Sequence, residues 1–274
     1  MKVLFIGDIV GRSGREAVDG ILPSLRRELE LDFVVANGEN AAAGFGITEK
    51  ICNQFYAAGI DVITGGNHSW DQREILGYID RDPRLLRPIN YPRGTPGRGA
   101  GLFKTASGAK VAVINPMGRV FMDALDDPFA AVEAELQTQR LSHNVDFILI
   151  DIHAEATSEK MAMGQFADGR ASLVVGSHSH VPTADAQVLP RGTAYQTDAG
   201  MCGDYDSVIG MNKDEPLRRF TRKISGGRMS PALGEATFCA VFVETDDATG
   251  LARRIAPVRL GGRLTETRPV LSTK

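Results

Sequence analysis

Cysteine is scarce in this chain, and long apolar runs and a surplus of positive charge are missing. Among 274 residues there are three cysteines, Cys52, Cys202 and Cys239, scattered and odd in number. With no Cys-x-x-Cys pair they suggest neither a thiolate zinc site nor a disulfide framework, and a reducing cytoplasm is the expected setting. No apolar run approaches the roughly 20 residues of a membrane span, so no membrane partner is expected. The N-terminus, Met1-Lys2-Val3-Leu4-Phe5-Ile6-Gly7-Asp8, does not read as a signal peptide, because its apolar run is short and an acid follows at once. The net charge of -3 argues against a dedicated nucleic-acid surface. It leaves room for a small nucleotide, which needs only local positive charge that metal ions could supply. Histidine is also scarce, with five in the chain, yet His178 and His180 stand one residue apart.

The composition is otherwise ordinary for a globular protein, 43% hydrophobic and 24% charged. The length allows one large domain or two small ones. No linker divides the chain convincingly, so residues 1–274 are expected to form one domain. Strands are expected at Lys2 to Ile6, Phe33 to Ala36, Asp61 to Thr64, Phe147 to Ile150 and Ser172 to Val175. Helical spacing covers Ser13 to Glu30, with a kink at Pro23, and a helix capped by Thr48 runs through Ile51, Phe55 and Ala58. Further helices are expected over Trp70 to Ile79, Pro128 to Gln139 and Thr157 to Gln165. Arg81 to Gly101 reads as loop with a short strand near Leu86 to Ile89, and Gly101 to Asn115 as a hairpin. Thr193 to Gly203 gives one strand and a glycine loop, and the alternation after Pro231 a closing antiparallel hairpin. Strands alternating with helices mean parallel β-α-β units, so the class is α/β, and the hairpins make the sheets mixed.

The informative regularity lies at the strand ends. Five times an apolar strand runs into a turn holding metal-capable side chains: Asp8; Glu39 and Asn40; Asn67 and His68; Asp151 and His153; His178 and His180. In α/β sheets, sites gather beyond the carboxyl ends of strands, where parallel neighbours bring their loops to one edge. In an extended backbone, residues i and i+2 point to the same side, so Gly176-Ser177-His178-Ser179-His180 can aim two imidazoles into one volume. Each piece alone has a plainer reading. Asp8 could cap a helix, Glu39-Asn40 could be a solvated turn, and His153 could be a satisfied structural histidine. Asp151 reads first as a strand-end residue, with support of a ligating histidine as the alternative. His143 lacks any such context and reads as a surface residue. The glycines Gly7, Gly11 and Gly14 hint at a dinucleotide loop, but their spacing is wrong and Asp8 would repel a pyrophosphate. Five coincident sets are hard to explain by turns alone. Their carboxylates, carboxamides and imidazoles, without thiolate, suit Mn, Fe, Zn or Ni.

In order, Asp8, Glu39, Gly66-Asn67-His68, His153 and Gly176-Ser177-His178-Ser179-His180 resemble the calcineurin-like metallophosphoesterase superfamily. Two departures stand out. Asp-x-His becomes Asp8-Ile9-Val10, and Gly-Asp-x-x-Asp becomes Asn37-Gly38-Glu39-Asn40. Both match one branch, the YmdB-like phosphodiesterases. Phe5-Ile6-Gly7-Asp8-Ile9-Val10-Gly11, Ala36 to Ala42, Gly66 to Asp71 and Thr197-Asp198-Ala199-Gly200-Met201 resemble it too, so the resemblance covers nearly the whole chain.

The resemblance implies a four-layer α/β/β/α sandwich with two mixed sheets. It implies two metal ions, often iron or manganese, and hydrolysis of phosphodiester bonds, with 2',3'-cyclic and also 3',5'-cyclic nucleotides as family substrates. Carried onto this chain, one metal takes Asp8, Glu39, Asn40 and His180, and the other Glu39, Asn67, His153 and His178, with Glu39 bridging. His68, beside Asn67 but assigned to neither metal, is the expected general acid for the leaving oxygen. It would need a carboxylate or the substrate phosphate nearby. A phosphomonoesterase, or a regulatory protein that binds a nucleotide with little turnover, is the alternative. Substrate choice is expected in the loops around Arg93 to Arg98, Phe121-Met122 and Met201 to Asp206, and the resemblance tilts toward a homo-oligomer.

Overall fold

The computed structural model describes residues 1–269; the last five residues of the expected single domain lie outside the described residues. The first half of the chain runs β1 (Lys2–Ile6), β2 (Asp8–Ile9), α1 (Gly11–Glu28), β3 (Phe33–Asn37), α2 (Glu49–Ala58), β4 (Val62–Thr64), β5 (Ala100–Lys104), β6 (Lys110–Ile114) and α3 (Pro128–Thr138). The second half runs β7 (Phe147–His153), α4 (Thr157–Ala167), β8 (Leu173–Ser177), β9 (Gln187–Val188), β10 (Ala194–Gln196), β11 (Met201–Asp204), α5 (Asp214–Arg222), β12 (Ala236–Thr245) and β13 (Ala252–Leu260). One sheet has the order β2-β11-β12-β1-β3-β4, with β13 also paired to β12, and the other has the order β5-β6-β7-β8-β10-β9. Strands β1, β3 and β4 are parallel, as are β6, β7, β8 and β10. Both sheets are mixed, because β12 runs antiparallel to β1 and β5 antiparallel to β6.

Period-two alternation builds the layers. In β1, Leu4 and Ile6 join one apolar cluster with Val18 and Leu22 of α1 and Phe55 of α2. Val3 and Phe5 point the other way, into a cluster shared with Val111, Leu149 and Val175 of the second sheet. The outer face of that sheet, with Ile148 and Ile150, packs on Val132 of α3 and Met163 of α4. Three apolar seams between helix, sheet, sheet and helix make the four-layer α/β/β/α sandwich that the sequence resemblance implied. Emptying one such position, for example Phe5→Ala, would cost about 3–5 kcal/mol.

Local signals held where they were strong. The Thr48 side chain accepts from the Ile51 N–H at 3.3 Å and starts α2, and Asp127 caps α3 with Pro128 in its first turn. Pro23 sits inside α1, which continues to Glu28.

Three expectations need correction. Trp70 to Ile79 is not a helix; only Arg73–Gly77 forms a short 3-10 turn. Tight turns around His68 and a bond from Gln72 Nε2 to the Phe45 carbonyl hold the segment instead. Leu86 to Ile89 makes single bridges rather than a strand, since Pro88 has no N–H to continue a ladder. Thr193 to Gly203 is two strands, β10 in one sheet and β11 in the other, so the chain crosses between sheets at residues 197–200. Helix α5 was not foreseen at all. Its stretch is dominated by charge, and only Pro216 is buried.

Candidate metal centre

The parallel strands of both sheets deliver their ends to one place. Asp8 opens β2, just past β1; Glu39 and Asn40 follow β3; Asn67 and His68 follow β4; His153 ends β7; His178 and His180 follow β8. Asp8, Glu39, Asn40, His153 and His180 are buried. Ligand atoms of Glu39, His153 and His178 all lie within 4.8 Å of one another. His153 Nε2 is the focus: Asn67 Oδ1 lies at 2.9 Å, Glu39 Oε1 at 3.1 Å and His178 Nδ1 at 3.1 Å. Beside this group, His180 Nε2 faces Asn40 Oδ1 at 3.3 Å and Asp8 Oδ1 at 3.8 Å. The His178 N–H ties the two groups together by donating to the Asp8 carboxylate at 3.2 Å.

Backbone geometry makes this closeness possible. A Cβ at Gly66 would stand 2.3 Å from His153 Nε2 and 2.4 Å from Glu39 Oε2, so glycine alone fits there. At Gly176 a Cβ would meet the Thr197 carbonyl at 1.8 Å. His178 and His180 both take left-handed backbone, φ 97° and 65°, which is costly outside glycine. The turn is held by bonds on every side. Ser179 N–H and Oγ donate to Asp198 Oδ2 at 3.1 and 2.8 Å. The His180 carbonyl accepts from Met201 N–H and the Tyr205 hydroxyl. Asp198 is in turn paired with Lys160 Nζ at 2.7 Å, and both side chains are buried.

Each imidazole is aimed by its far nitrogen. His180 Nδ1 donates to the Ile209 carbonyl at 2.8 Å, which leaves the Nε2 lone pair facing the Asn40 and Asp8 oxygens, acceptors like itself. His153 Nδ1 meets Ser177 Oγ at 2.9 Å, and Ser177 donates onward to Asp151 at 2.7 Å. Asp151 is therefore more than a strand-end residue: it orients a histidine of the cluster through Ser177. His178 Nε2 lies 3.2 Å from Glu155. His68 stands apart from the cluster through its side chain. Its N–H donates to Glu39 Oε2 at 2.8 Å, while its Nδ1 bonds Asp71 at 2.8 Å, which is the nearby carboxylate that an acid at this position requires.

The electrostatics describe a cluster short of positive charge. Burial pushes the Asp8 carboxyl up, against the pull of His180 and His153. Burial also opposes ionisation of Glu39, but His153 and His68 outweigh it and hold Glu39 down at about 2. Burial works against a charge on His153 too, yet Glu39, Asp8 and Asp151 raise it to about 9. Burial and the neighbouring His153 push His178 down to about 3. Burial lifts Asp151 to about 6. Among the described residues no lysine or arginine pairs with Asp8 or Glu39. One N–H on His153 cannot satisfy three acceptors at about 3 Å. A cation held by the same atoms would satisfy all of them, and the nitrogen and oxygen donors suit a first-row transition ion.

A cavity of about 430 Å³ opens onto the cluster, lined by Glu39, Asn40, His68, His178 and His180 on one side. Its other side was not foreseen: Phe45, Glu155 and residues between Val208 and Met229, α5 included. The loops expected to choose substrate do not line it. Met201 to Asp206 lies behind the histidine turn as its support, and Phe121, 89% exposed, is not among the lining residues. Pro216 and Phe220, four apart in a charged stretch, were the only signal for the missed wall. His143 is on the surface as expected.

Comparison with known proteins agrees with this geometry. The chain is 47% identical over 255 residues to a Bacillus subtilis protein named 2',3'-cyclic-nucleotide 2'-phosphodiesterase, covering 93% of this chain and 95% of that one. A solved Thermus thermophilus structure shares 41% identity at TM-score 0.89, covering 96% of this chain and all of the other. A Mycoplasma pneumoniae structure described as a novel phosphatase shares 31% identity at TM-score 0.88, covering 95% of this chain and 93% of its own. The profile of the family described as YmdB-like protein matches residues 4–258. With its motifs, its four-layer sandwich and these relatives in agreement, the chain belongs to the YmdB-like family.

Proposed function

We propose that this protein is a dinuclear-metal phosphodiesterase acting on small cyclic nucleotides, the 2',3'-cyclic and also the 3',5'-cyclic forms. The observation that carries the reading is the convergence on His153 Nε2 of a carboxylate, a carboxamide and a second imidazole, each within 3.1 Å. Asp8, Asn40 and His180 would hold one ion, Asn67, His153 and His178 the other, and Glu39 both. Iron or manganese is the proposed pair, with zinc and nickel next. When bound, such ions supply Lewis acidity to the phosphate oxygens and ease deprotonation of the attacking water.

The chain's own groups do the rest. Asp71 fixes the His68 ring through Nδ1, leaving Nε2 to deliver a proton to the leaving ribose oxygen. Phe45 packs edge-on against His68, with centroids 5.0 Å apart, and keeps water from that face. Asp151, Ser177 and Glu155 hold His153 and His178 in the orientations that aim their other nitrogens inward. In a 2',3'-cyclic nucleotide, water adds to phosphorus, the bond to O2' breaks, and the proton from His68 ends on O2'.

The site takes residues from both sheets, which supports reading residues 1–274 as one domain. Three free, buried cysteines support a reducing cytoplasm. Exposed Leu217, Ile224 and Leu233 support a homo-oligomer, to be checked by light scattering. Among the described residues no helix is long and apolar enough to cross a membrane.

Metal analysis of the purified protein, beside turnover of 2',3'-cyclic, 3',5'-cyclic and monoester substrates, tests the reading. Two equivalents of metal with diesterase activity are expected. A preference for monoesters, or nucleotide binding without turnover, would sink it. Glu39→Gln should deplete both metals, and two full equivalents in that variant rule out a bridge.

A further inference from the structure

The cavity is lined by two unlike sets of side chains. One is the carboxylate and imidazole cluster with His68. The other is apolar and comprises Phe45, Ile209, Met211, Pro216, Phe220 and Met229. A phosphate and its counter-ions gain nothing from that second wall. Phe220 is 73% exposed and Ile209 55%, so the wall meets water at the cavity mouth. Apolar surface left in water beside a polar site marks a place for a ligand. Phe220 sits on α5, whose only buried residue is Pro216, so the apolar side of that helix serves the cavity rather than a core. Phe45 is held between the His68 ring and the Arg228 guanidinium, which lies 5.8 Å from its centroid.

We infer that this wall seats the nucleobase. The base stacks in the space bounded by Phe45, Phe220 and the two methionines while the phosphate lies against the histidines. The inference rests on the phosphodiesterase reading and names the part of the substrate that this reading leaves unplaced. The cavity, about 430 Å³, falls within the roughly 300–1,000 Å³ of small-molecule sites. Its chemistry also sets the selectivity. Arg219 lines the cavity with its Nε and Nη2 engaged by Glu215, Ser225 Oγ and the Gly227 carbonyl. Glu155 also lines the cavity and lies 3.2 Å from His178 Nε2, and thioethers adapt to differently shaped rings. Stacking accepts any base, so all four bases are accommodated, with purines ahead through their larger buried area.

The test compares 2',3'-cyclic AMP with glycerol 1,2-cyclic phosphate, which has the same five-membered cyclic diester and no base. In Phe220→Ala, KM for the nucleotide should rise about tenfold with kcat nearly kept, and the glycerol ester should lose much less. Phe220→Trp should restore the nucleotide KM. Leu217→Ala, on the same helix but outside the cavity, should keep the wild-type preference between the two esters. Equal losses on both esters, or an unchanged preference, overturn the inference. A changed oligomeric state in Phe220→Ala with unchanged preference also overturns it, by giving the wall to a second copy of the chain. If the wild type hydrolyses neither ester, the phosphodiesterase reading fails. Calorimetric titration with 2',3'-cyclic AMP then decides the wall: weaker binding by about tenfold in the variant supports it, and equal Kd values overturn it.

Discussion

Lys160→Met is the most informative perturbation away from the ligands themselves. Lys160 Nζ lies 2.7 Å from Asp198 Oδ2 with both side chains fully buried. Methionine keeps most of the stem's volume and removes the charge, leaving a buried carboxylate without its counter-ion. Breaking such a pair costs about 3–5 kcal/mol. Asp198 keeps three hydrogen bonds, from the Ser179 N–H and hydroxyl and the Gly200 N–H, so the lower end is expected. For a chain of this size about 3 kcal/mol lowers Tm by roughly 6 °C. The damage should reach the site, because Ser179 stands between the two left-handed histidines and Asp198 is what grips it. Manganese affinity should therefore fall about tenfold or more, the usual cost of losing a group that orients a ligand. Calorimetry of thermal unfolding and isothermal titration with manganese measure the two effects. The double variant Lys160→Met, Asp198→Asn leaves no unpaired charge and should recover much of the lost stability, giving a favourable coupling in the cycle. A double variant no more stable than Lys160→Met, or a metal affinity unmoved by a clear fall in Tm, would refute the argument.

Three further outcomes are expected. His68→Ala should retain its metal and lose about 10²–10⁴-fold in kcat; parallel loss of metal and turnover in elemental and kinetic assays would contradict the proton-donor role. Gly66→Ala puts a methyl 2.3 Å from His153 Nε2 and 2.4 Å from Glu39 Oε2, so metal content should drop while far-UV circular dichroism stays close to wild type; full occupancy would show that the loop can yield. Stability of chelated protein should depend on pH through His153. Burial lowers its pKa, but the surrounding carboxylates outweigh this and raise it from 6.5 to about 9. The stabilisation is complete below pH 6.5 and is lost as pH rises through about 9. The mirror case is Glu39, held down at about 2 against burial: its contribution is complete above pH 4.5 and is lost as pH falls through about 2. Metal displaces the His153 proton, so loaded protein should lack the alkaline loss and loading at pH 7 should release about one proton. A Tm of chelated protein that is flat between pH 7 and 9.5 is the contrary result.

Short-range signals were enough for most of the frame. Short apolar stretches running into Gly7, Gly38, Gly66 and Gly176 carried strand positions and candidate ligand positions together, because a parallel strand must end where its loop begins. The seven proposed ligand residues and His68 are named through the family resemblance that their order carries, and Thr48 marks a helix start by local hydrogen bonding alone. What the sequence left open were the relations between distant segments. Asp151 became a support for His153 only because Ser177, on the neighbouring strand, bridges them. Lys160 carries no signal within its own helix, and its burial against Asp198 brings α4 onto the crossover between the sheets. Residues 193–203 read as one strand and a glycine loop, since nothing local records that the two halves join different sheets. Helix α5 carries so much charge and so little buried surface that its pattern gives no core signal. Its place over the cavity is a fact of the tertiary fold, decided by where the chain must travel between the histidine turn and β12.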